Sequence, residues 1–401
     1  SRFPHRAWLY VDDLLAALHR STCPEQCALL VALLSILHAP LSWRKAQLGE
    51  LISWCGWELD FGCETVCLSA DKVAKLLALL APLCSTGRCS RKHLESCLGL
   101  LVWACTLSKH LRPFLAPLFR DLHGTAGTLF SIDPRFWGSF REGLDEAAHV
   151  RQCPTGLWLP LGGKVLEVSG SAVSLKTEVP RTCASRKPVW VRIQDPKRDS
   201  LQIRQTACLA AQWLHTCFSH PQPRSLRLLP LLPCVSAADA MAEGETVGIG
   251  GYVCTASRFA WFSETFTSAQ IRAQWPDMDK PMQRYISCWE ALAQLALLQC
   301  AVALQGPGSM PFALPTGSDN TSAEAGLNSL FTTTEPLSRF LRLAATWAEA
   351  RQVELVVSHV SGERNQFADD LSRARLSGVK HRTADRVRFS LEELARPGQC
   401  L

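Results

Sequence analysis

Apolar residues close around a pair of acids near the start of the chain: Ala7, Trp8 and Leu9 precede Tyr10-Val11-Asp12-Asp13, and Leu14 and Leu15 follow. This pattern predicts a strand–turn–strand. Pro24 to His38 has helical character with Pro24 in the first turn, and a short extended element completes residues 1–62. From Ser69 to about His123 the pattern is helical. Ser69-Ala70-Asp71-Lys72 opens an amphipathic helix through Leu80 with Ser69 as N-cap, and a second follows Ser90 through Leu94, Leu98, Leu101 and Val102. Pro113 and Pro117 break a third stretch. Residues 124–228 carry Gly/Pro punctuation, an extended segment from Trp158 to Val168, and the basic residues Arg181, Arg186, Lys187, Arg192, Lys197, Arg198 and Arg204. From Leu229 strands and helices alternate, the sign of a mixed α/β domain. Cys234–Ala238, Gly248–Val253, Phe259–Phe262, Pro311–Pro315 and Val353–Val360 read as strands. Gln283–Leu304 reads as a helix, others follow Thr321 and Pro336, and one more starts over Gln366–Arg375.

Composition changes this picture little. The chain has 401 residues, 47% hydrophobic and 19% charged, which suits two or three globular domains. Its formal charge of +6 permits a polyanionic partner without requiring one. The uncharged apolar runs Cys27–Pro40 and Ala291–Leu304 fall short of the roughly 18–20 residues a membrane crossing needs, so no membrane partner is expected. The start at Ser1, without a signal-type apolar region, reads as a fragment or processed product. The 18 cysteines include no CxxC pair; Cys23/Cys27 and Cys63/Cys67 come nearest. Scattered in this way they read as small buried hydrophobes, reduced inside a cell (cytoplasm or nucleus), rather than as a zinc or disulfide framework.

Two adjacent carboxylates in an apolar setting invite a divalent cation, because unpaired buried charge is expensive and phosphoryl transfer uses such ions. An Asp-Asp turn closing an exposed hairpin is the plainer alternative. Tyr10-Val11-Asp12-Asp13 resembles the palm signature of reverse transcriptases. Pro24–Leu37 then matches the helix that follows it, Pro40-Leu41-Ser42-Trp43-Arg44-Lys45 a lysine-bearing loop, and Ile52-Ser53-Trp54-Cys55-Gly56-Trp57 a primer-grip hairpin. The resemblance implies that Asp12 and Asp13 are metal carboxylates, that Lys45 donates a proton to pyrophosphate, and that the helices to His123 are a thumb. That family takes a further aspartate from well upstream, so no complete polymerase site is expected from these residues.

The second constellation is Asp239, Glu290, Asp319, His359 and Asp369. Glu290 sits among Ile286, Ala291, Leu292 and Leu295, on or near a buried helix face; a surface glutamate is the alternative. Asp319-Asn320 can equally be a helix cap. The run His359-Val360-Ser361-Gly362-Glu363-Arg364-Asn365-Gln366-Phe367-Ala368-Asp369-Asp370-Leu371-Ser372-Arg373 is more specific. It resembles the His-x-x-Gly-x-x-Asn-x-x-Ala-Asp-x-Leu-Ser-Arg ending of RNase H domains in long-terminal-repeat and tyrosine-recombinase retroelements. The resemblance covers about residues 229–377 and implies a five-stranded mixed sheet flanked by helices. It further implies that Asp239, Glu290, Asp319 and Asp369 hold two Mg²⁺ (or Mn²⁺) ions about 3.5–4 Å apart, with His359 assisting proton transfer or product release and Asn365 capping the last helix. Ala238-Asp239-Ala240-Met241 departs from the family's usual Thr-Asp-Ala-Ser, and Pro230 and Pro233 restrict the first strand.

The expected fold class is therefore α/β (α+β). A partial reverse-transcriptase palm (1–62) and thumb-like helices (63–123) lead through a connection (124–228) to an RNase H-like domain (229–377) and a basic tail (378–401). The expected activity is cutting the RNA strand of RNA–DNA hybrids, with primer-template nucleic acid as the other partner. Basic tail residues Arg373, Arg375, Lys380, Arg382, Arg386 and Arg388 would help hold the duplex. A retroelement remnant that binds nucleic acid without cutting it is the alternative.

Overall fold

A computed structural model describes residues 5–10, 13–123, 128–132, 165–169, 172–175, 189–194, 200–306, 308 and 310–396. The chain divides into two units, Ser1–Leu77 with Cys217–Leu228, and Ala78–Thr216 with Leu229–Leu401.

In the first unit β1 (His5–Tyr10) pairs antiparallel with β2 (Asp13–Leu18), Tyr10 opposite Asp13, which is the hairpin the apolar flanks predict. Asp12 lies outside the described residues. Helix α1 (Cys23–Ile36) has Pro24 in its first turn and buries no residue fully. A four-stranded antiparallel sheet follows, formed by β3 (Leu51–Trp54), β4 (Trp57–Asp60), β5 (Thr65–Leu68) and the two-residue β12 (Arg224–Ser225). Cys55 and Gly56 turn the β3–β4 hairpin at φ +51° and +87°, the conformation a two-residue hairpin loop needs.

The division between units falls inside α2 (Ala70–Ser85). Beyond it, β6 (Arg88–Ser90) leads into α3 (Arg91–Ala104), capped by Ser90 Oγ accepting from the His93 N–H at 3.1 Å. Leu94, Cys97, Leu98, Leu101 and Ala104 are its buried face, three and four residues apart as an amphipathic helix requires. The two prolines read as breaks act differently. Pro113 sits in a 3-10 turn (Lys109–Leu115), and Pro117 lies in the first turn of α4 (Ala116–His123), where its missing N–H costs nothing. Strands β7 (Thr128–Ile132), β8 (Val165–Ser169), β9 (Ala172–Leu175) and β10 (Val189–Gln194) form one sheet in the order β7-β10-β8-β9, and β11 (Ser200–Gln202) pairs with β6. Most of the Trp158–Val168 segment and the basic residues Arg181, Arg186, Lys187, Lys197 and Arg198 lie outside the described residues. Helix α5 (Gln205–Ser219) follows, preceded by Arg204, whose guanidinium and backbone N–H both donate to the buried Asp121 carboxylate at 2.5 and 2.7 Å.

The C-terminal domain is a five-stranded mixed sheet flanked by helices. Its strands β13 (Cys234–Glu243), β14 (Thr246–Thr255), β15 (Phe259–Thr267), β16 (Phe312–Ser318) and β17 (Val353–His359) run in the order β15-β14-β13-β16-β17. The first three form an antiparallel meander, and β16 and β17 add in parallel. The first strand is twice the predicted length, so Asp239 lies within it and does not follow it. Pro230 and Pro233 precede the strand and cost it no ladder bond. Strand β16 likewise runs through Pro315. Odd-numbered N–H groups of β16 face β13, as the Ala313 N–H donating to Pro230 O at 2.9 Å shows. There the ladder is nearly absent, and the Pro315 carbonyl accepts from Ser236 Oγ at 2.6 Å.

Helix α6 (Ser268–Gln274) and a 3-10 turn (Met282–Tyr285) lead into α7 (Ile286–Gln305), so the predicted helix opens with a tighter turn. Met282–Gln305 is long and apolar enough to cross a membrane by length and composition, yet 72% of its apolar window is buried inside the protein. Leu292, Leu295, Ala296 and Trp289 pack there with Ala238, Ala240, Ile249 and Phe262 of the sheet. Helices α8 (Thr321–Ser329), α9 (Leu337–Arg351), α10 (Gln366–Ser372) and α11 (Leu391–Ala395) complete the domain. Residues 378–396, the described part of the 378–401 span read from sequence as a basic tail, pack back onto it. Leu391 and Leu394 join the main core, the Trp261 indole donates to Arg382 O at 2.8 Å, and the Arg382 and Arg386 guanidinium groups lie over Phe259 and Trp261 at 4.6 and 5.2 Å. Lys380 and Arg388 stay exposed.

Candidate metal centre

Strand alternation separates Asp239 from its neighbours. Ala238 and Ala240 enter the core beneath α7, and Asp239 points to the opposite face, towards α10. Its partner across the β13–β14 ladder is Gly250. A Cβ on Gly250 would lie 2.2 Å from the Ser372 backbone nitrogen and 2.3 Å from the Leu371 carbonyl carbon, and one on Gly248 would lie 2.0 Å from Ser372 O. The two glycines therefore let α10 settle directly on the sheet. Nothing in the hydrophobic periodicity marks this, although Gly248-Ile249-Gly250-Gly251 inside a predicted strand is the signal for a close backbone approach.

Asp319 follows the last residue of β16, next to β13, where Ala237 pairs with Gly317. Strand β13 runs on past that end, and the Ala240 N–H is taken by Glu290 Oε1 at 3.3 Å. One turn along α7, Gln294 is wholly buried. It donates to Gly317 O at 2.9 Å and accepts from the Thr316 hydroxyl at 3.1 Å, fixing the strand end that carries Asp319. Asp239, Glu290 and Asp319 each offer a carboxylate oxygen within 4.8 Å of the others, the first two buried and the third exposed.

Concentrated negative charge shows in the acidities. Burial, then the charges of Asp319 and Asp369, push the Asp239 carboxyl up to about 7, against the pull of the Ser372 hydrogen bond and of Arg373. Burial, with Asp239 and Asp319 alongside, also raises Glu290 well above the carboxylate range, the Ala240 N–H and nearby Ser318 hydroxyl offsetting part of the rise. Glu290 Oε2 is buried without a hydrogen-bond partner. An orphaned carboxylate oxygen beside two further carboxylates fits a hard divalent cation with oxygen ligands, Mg²⁺ or Mn²⁺.

The remaining sequence candidates are placed differently. His359 ends β17 opposite Ser318, beside the base of Asp319 and exposed. Asp369, on α10, accepts from Arg373 Nε at 2.7 Å and lies 4.0 Å from Arg375, outside the tight trio though close enough to raise Asp239. Asn365, predicted to cap α10, makes no side-chain cap. Its Nδ2 donates to Asp239 Oδ1 at 3.2 Å instead, so its reach goes across the sheet and not along its own helix. In the first unit Asp13 is exposed, with the Cys55 thiol donating to its Oδ2 at 3.8 Å, and Lys45 is exposed at the end of a 3-10 turn (Trp43–Lys45).

These acidities set a pH dependence. Asp239 has a folded pKa near 7 against about 3.9 unfolded, so the native state binds more protons between these values. Metal-free stability is thus fullest below pH ~4 for this group and declines as pH rises through about 7, by on the order of 4 kcal/mol. Chemical denaturation with chelator at pH 5 and pH 8 is expected to show that decline, and Mg²⁺ is expected to stabilise more at pH 8. A flat or rising metal-free profile in wild type, or a decline that persists unchanged in Asp239→Asn, contradicts the assignment.

No protein-family model matches the chain, and no curated protein matches it. Solved structures to which it is similar include the ribonuclease H1 of the halophilic archaeon Halobacterium salinarum, at 17% identity over 36% of this chain and 98% of that one, with a TM-score of 0.25. Another is LC11 ribonuclease H1 in complex with an RNA/DNA hybrid, at 17% identity over 36% and 99%, TM-score 0.28. The prototype foamy virus protease–reverse transcriptase aligns at 11% identity over 92% of this chain and 59% of that one, TM-score 0.24.

Proposed function

We propose that the C-terminal domain is a divalent-metal-dependent nuclease that hydrolyses the RNA strand of RNA–DNA hybrids, as the RNase H part of a retroelement reverse transcriptase. The observation that carries this reading is the convergence of Asp239, Glu290 and Asp319 around a buried, unpartnered carboxylate oxygen. Residues 29 to 80 positions apart in sequence meet there, and the His359–Arg373 run lies beside them. Asp239, Glu290 and Asp319 would hold the ion, with Asp369 completing the set once its carboxylate leaves Arg373. A bound divalent ion supplies the positive charge that offsets the developing negative charge of phosphodiester hydrolysis. Asp319 is the exposed member and faces the incoming strand. His359 accepts or returns a proton at the same open edge, and Lys380 and Arg388 add positive charge for the duplex backbone. Contacts to 2′-hydroxyls would distinguish RNA from DNA.

In the same reading residues 1–62 are the C-terminal part of a palm, Asp12 and Asp13 its metal carboxylates, Lys45 its proton donor and the helices to His123 its thumb. No polymerase activity is expected from these residues alone, and the setting is intracellular. The decisive assay gives the chain a labelled RNA–DNA hybrid with Mg²⁺ or Mn²⁺. Wild type is expected to cut the RNA strand, and Asp319→Asn to lose about a hundred-fold or more. Equal survival of the RNA with both proteins, together with unchanged hybrid binding, moves the assignment to a binding remnant.

A further inference from the structure

Asp239 is gripped at both oxygens. Asn365 Nδ2 donates to Oδ1 at 3.2 Å and Ser372 Oγ donates to Oδ2 at 2.8 Å. Both donors are buried, Asn365 at 1% exposure and Ser372 at 0%, and they stand at the two ends of α10, one full span of the helix apart. The Ser372 hydroxyl also lies 2.9 Å from Asp369 O. It has one hydrogen for two acceptors, and a carboxylate outcompetes a helix carbonyl already within a backbone ladder. The glycines at 248 and 250 bring this helix onto the strand that carries Asp239. The arrangement is costly unless it holds something in place, since Asn365 Oδ1 is left buried and unpartnered.

We propose that Asn365 and Ser372 are positioning residues that clamp Asp239 in its ligating orientation, so that α10 serves the metal centre through Asp239 as well as through Asp369. This rests on the reading of Asp239, Glu290 and Asp319 as a metal centre. Partners of metal ligands typically govern affinity about 10–100-fold. The clamp leaves the carboxylate's outward lone pairs free and removes its rotation about χ2, the freedom a flexible ligand would lose on binding.

The test is a Mn²⁺ titration of the full chain followed by calorimetry, and by the thermal midpoint, for wild type, Ser372→Ala, Asn365→Ala and Asp239→Asn. Both clamp variants are expected to bind Mn²⁺ about 10–100-fold more weakly, with folded metal-free proteins by circular dichroism. Their hybrid cleavage should recover at high Mn²⁺ with the hybrid KM unchanged, a split that a loss of packing does not produce. Wild-type affinity in both clamp variants, with binding lost in Asp239→Asn, overturns the clamp and leaves the metal centre standing. Failure of wild type itself to bind Mn²⁺ overturns both. Should Ser372→Ala not fold, Asn365→Ala decides by the same affinity.

Discussion

Glu290→Gln is expected to raise the stability of the metal-free protein at pH 8 while abolishing its response to Mg²⁺. The two effects have one cause. Glu290 is 3% exposed, its Oε2 has no partner, and Asp239 and Asp319 crowd it with like charge. Ionising it costs free energy that only a cation recovers. Glutamine keeps the shape and the oxygen that accepts from Ala240, and removes the charge. The gain should be about 1–3 kcal/mol, a few degrees in thermal midpoint, and should shrink as pH falls, because burial and the neighbouring carboxylates favour the protonated form of Glu290. Differential scanning calorimetry in chelator and in Mg²⁺ reads both halves. A variant that is destabilised without metal and still stabilised by Mg²⁺ contradicts the centre. Hybrid cleavage should fall with the metal response, since the same carboxylate serves both.

The second large effect is expected at a glycine. Gly250→Ala adds a single carbon 2.2 Å from the Ser372 nitrogen and 2.3 Å from the Leu371 carbonyl carbon. These are backbone atoms of α10, so no side chain can rotate away, and the helix must lift from β14. Overpacking typically costs about 1–3 kcal/mol. Here the upper end or more is expected, because lifting α10 also withdraws Ser372 and Asn365 from Asp239. Mg²⁺ stabilisation should be lost together with the fold stability, read by urea unfolding with and without the ion. Gly99 is the control. It is exposed in the middle of α3 and an added Cβ meets nothing within 4 Å, so Gly99→Ala should gain about 0.5–1 kcal/mol through helix propensity. A Gly250→Ala protein as stable as Gly99→Ala, with its Mg²⁺ response intact, rejects the close-packing account.

Local pattern carried much of the domain. The strand and helix patterns after Leu229 predict the elements found in the five-stranded sheet, because its strands are bounded by turn residues and periodic helices precede the last two. Glu290 stood out from its apolar neighbours on α7, and the His359–Arg373 run marks β17's end and α10. The errors are local too. Pro230 and Pro233 suggest a short first strand, Cys234–Ala238, yet both precede it and ten ladder pairs with β14 carry the strand to Glu243. Strand β16 passes through Pro315 because β17 supplies its ladder on the other side. Residues 378–401 read as a basic tail because their arginines are charged; the aromatic partners of Arg382 and Arg386, Phe259 and Trp261, are more than a hundred residues away.

Residue type and spacing by themselves thus determined which segments become strands and helices, and which acids are candidates for a metal. They did so because periodicity and motif are properties of neighbouring residues. Only the tertiary structure decided which acids meet: Asp239, Glu290 and Asp319 form the tight trio, and Asp369 is engaged by Arg373. It also decided what Asn365 does. Its bond to Asp239 spans 126 residues and that of Ser372 spans 133; such pairings arise when β14's glycines admit α10 to the sheet, a steric fact of packed backbones.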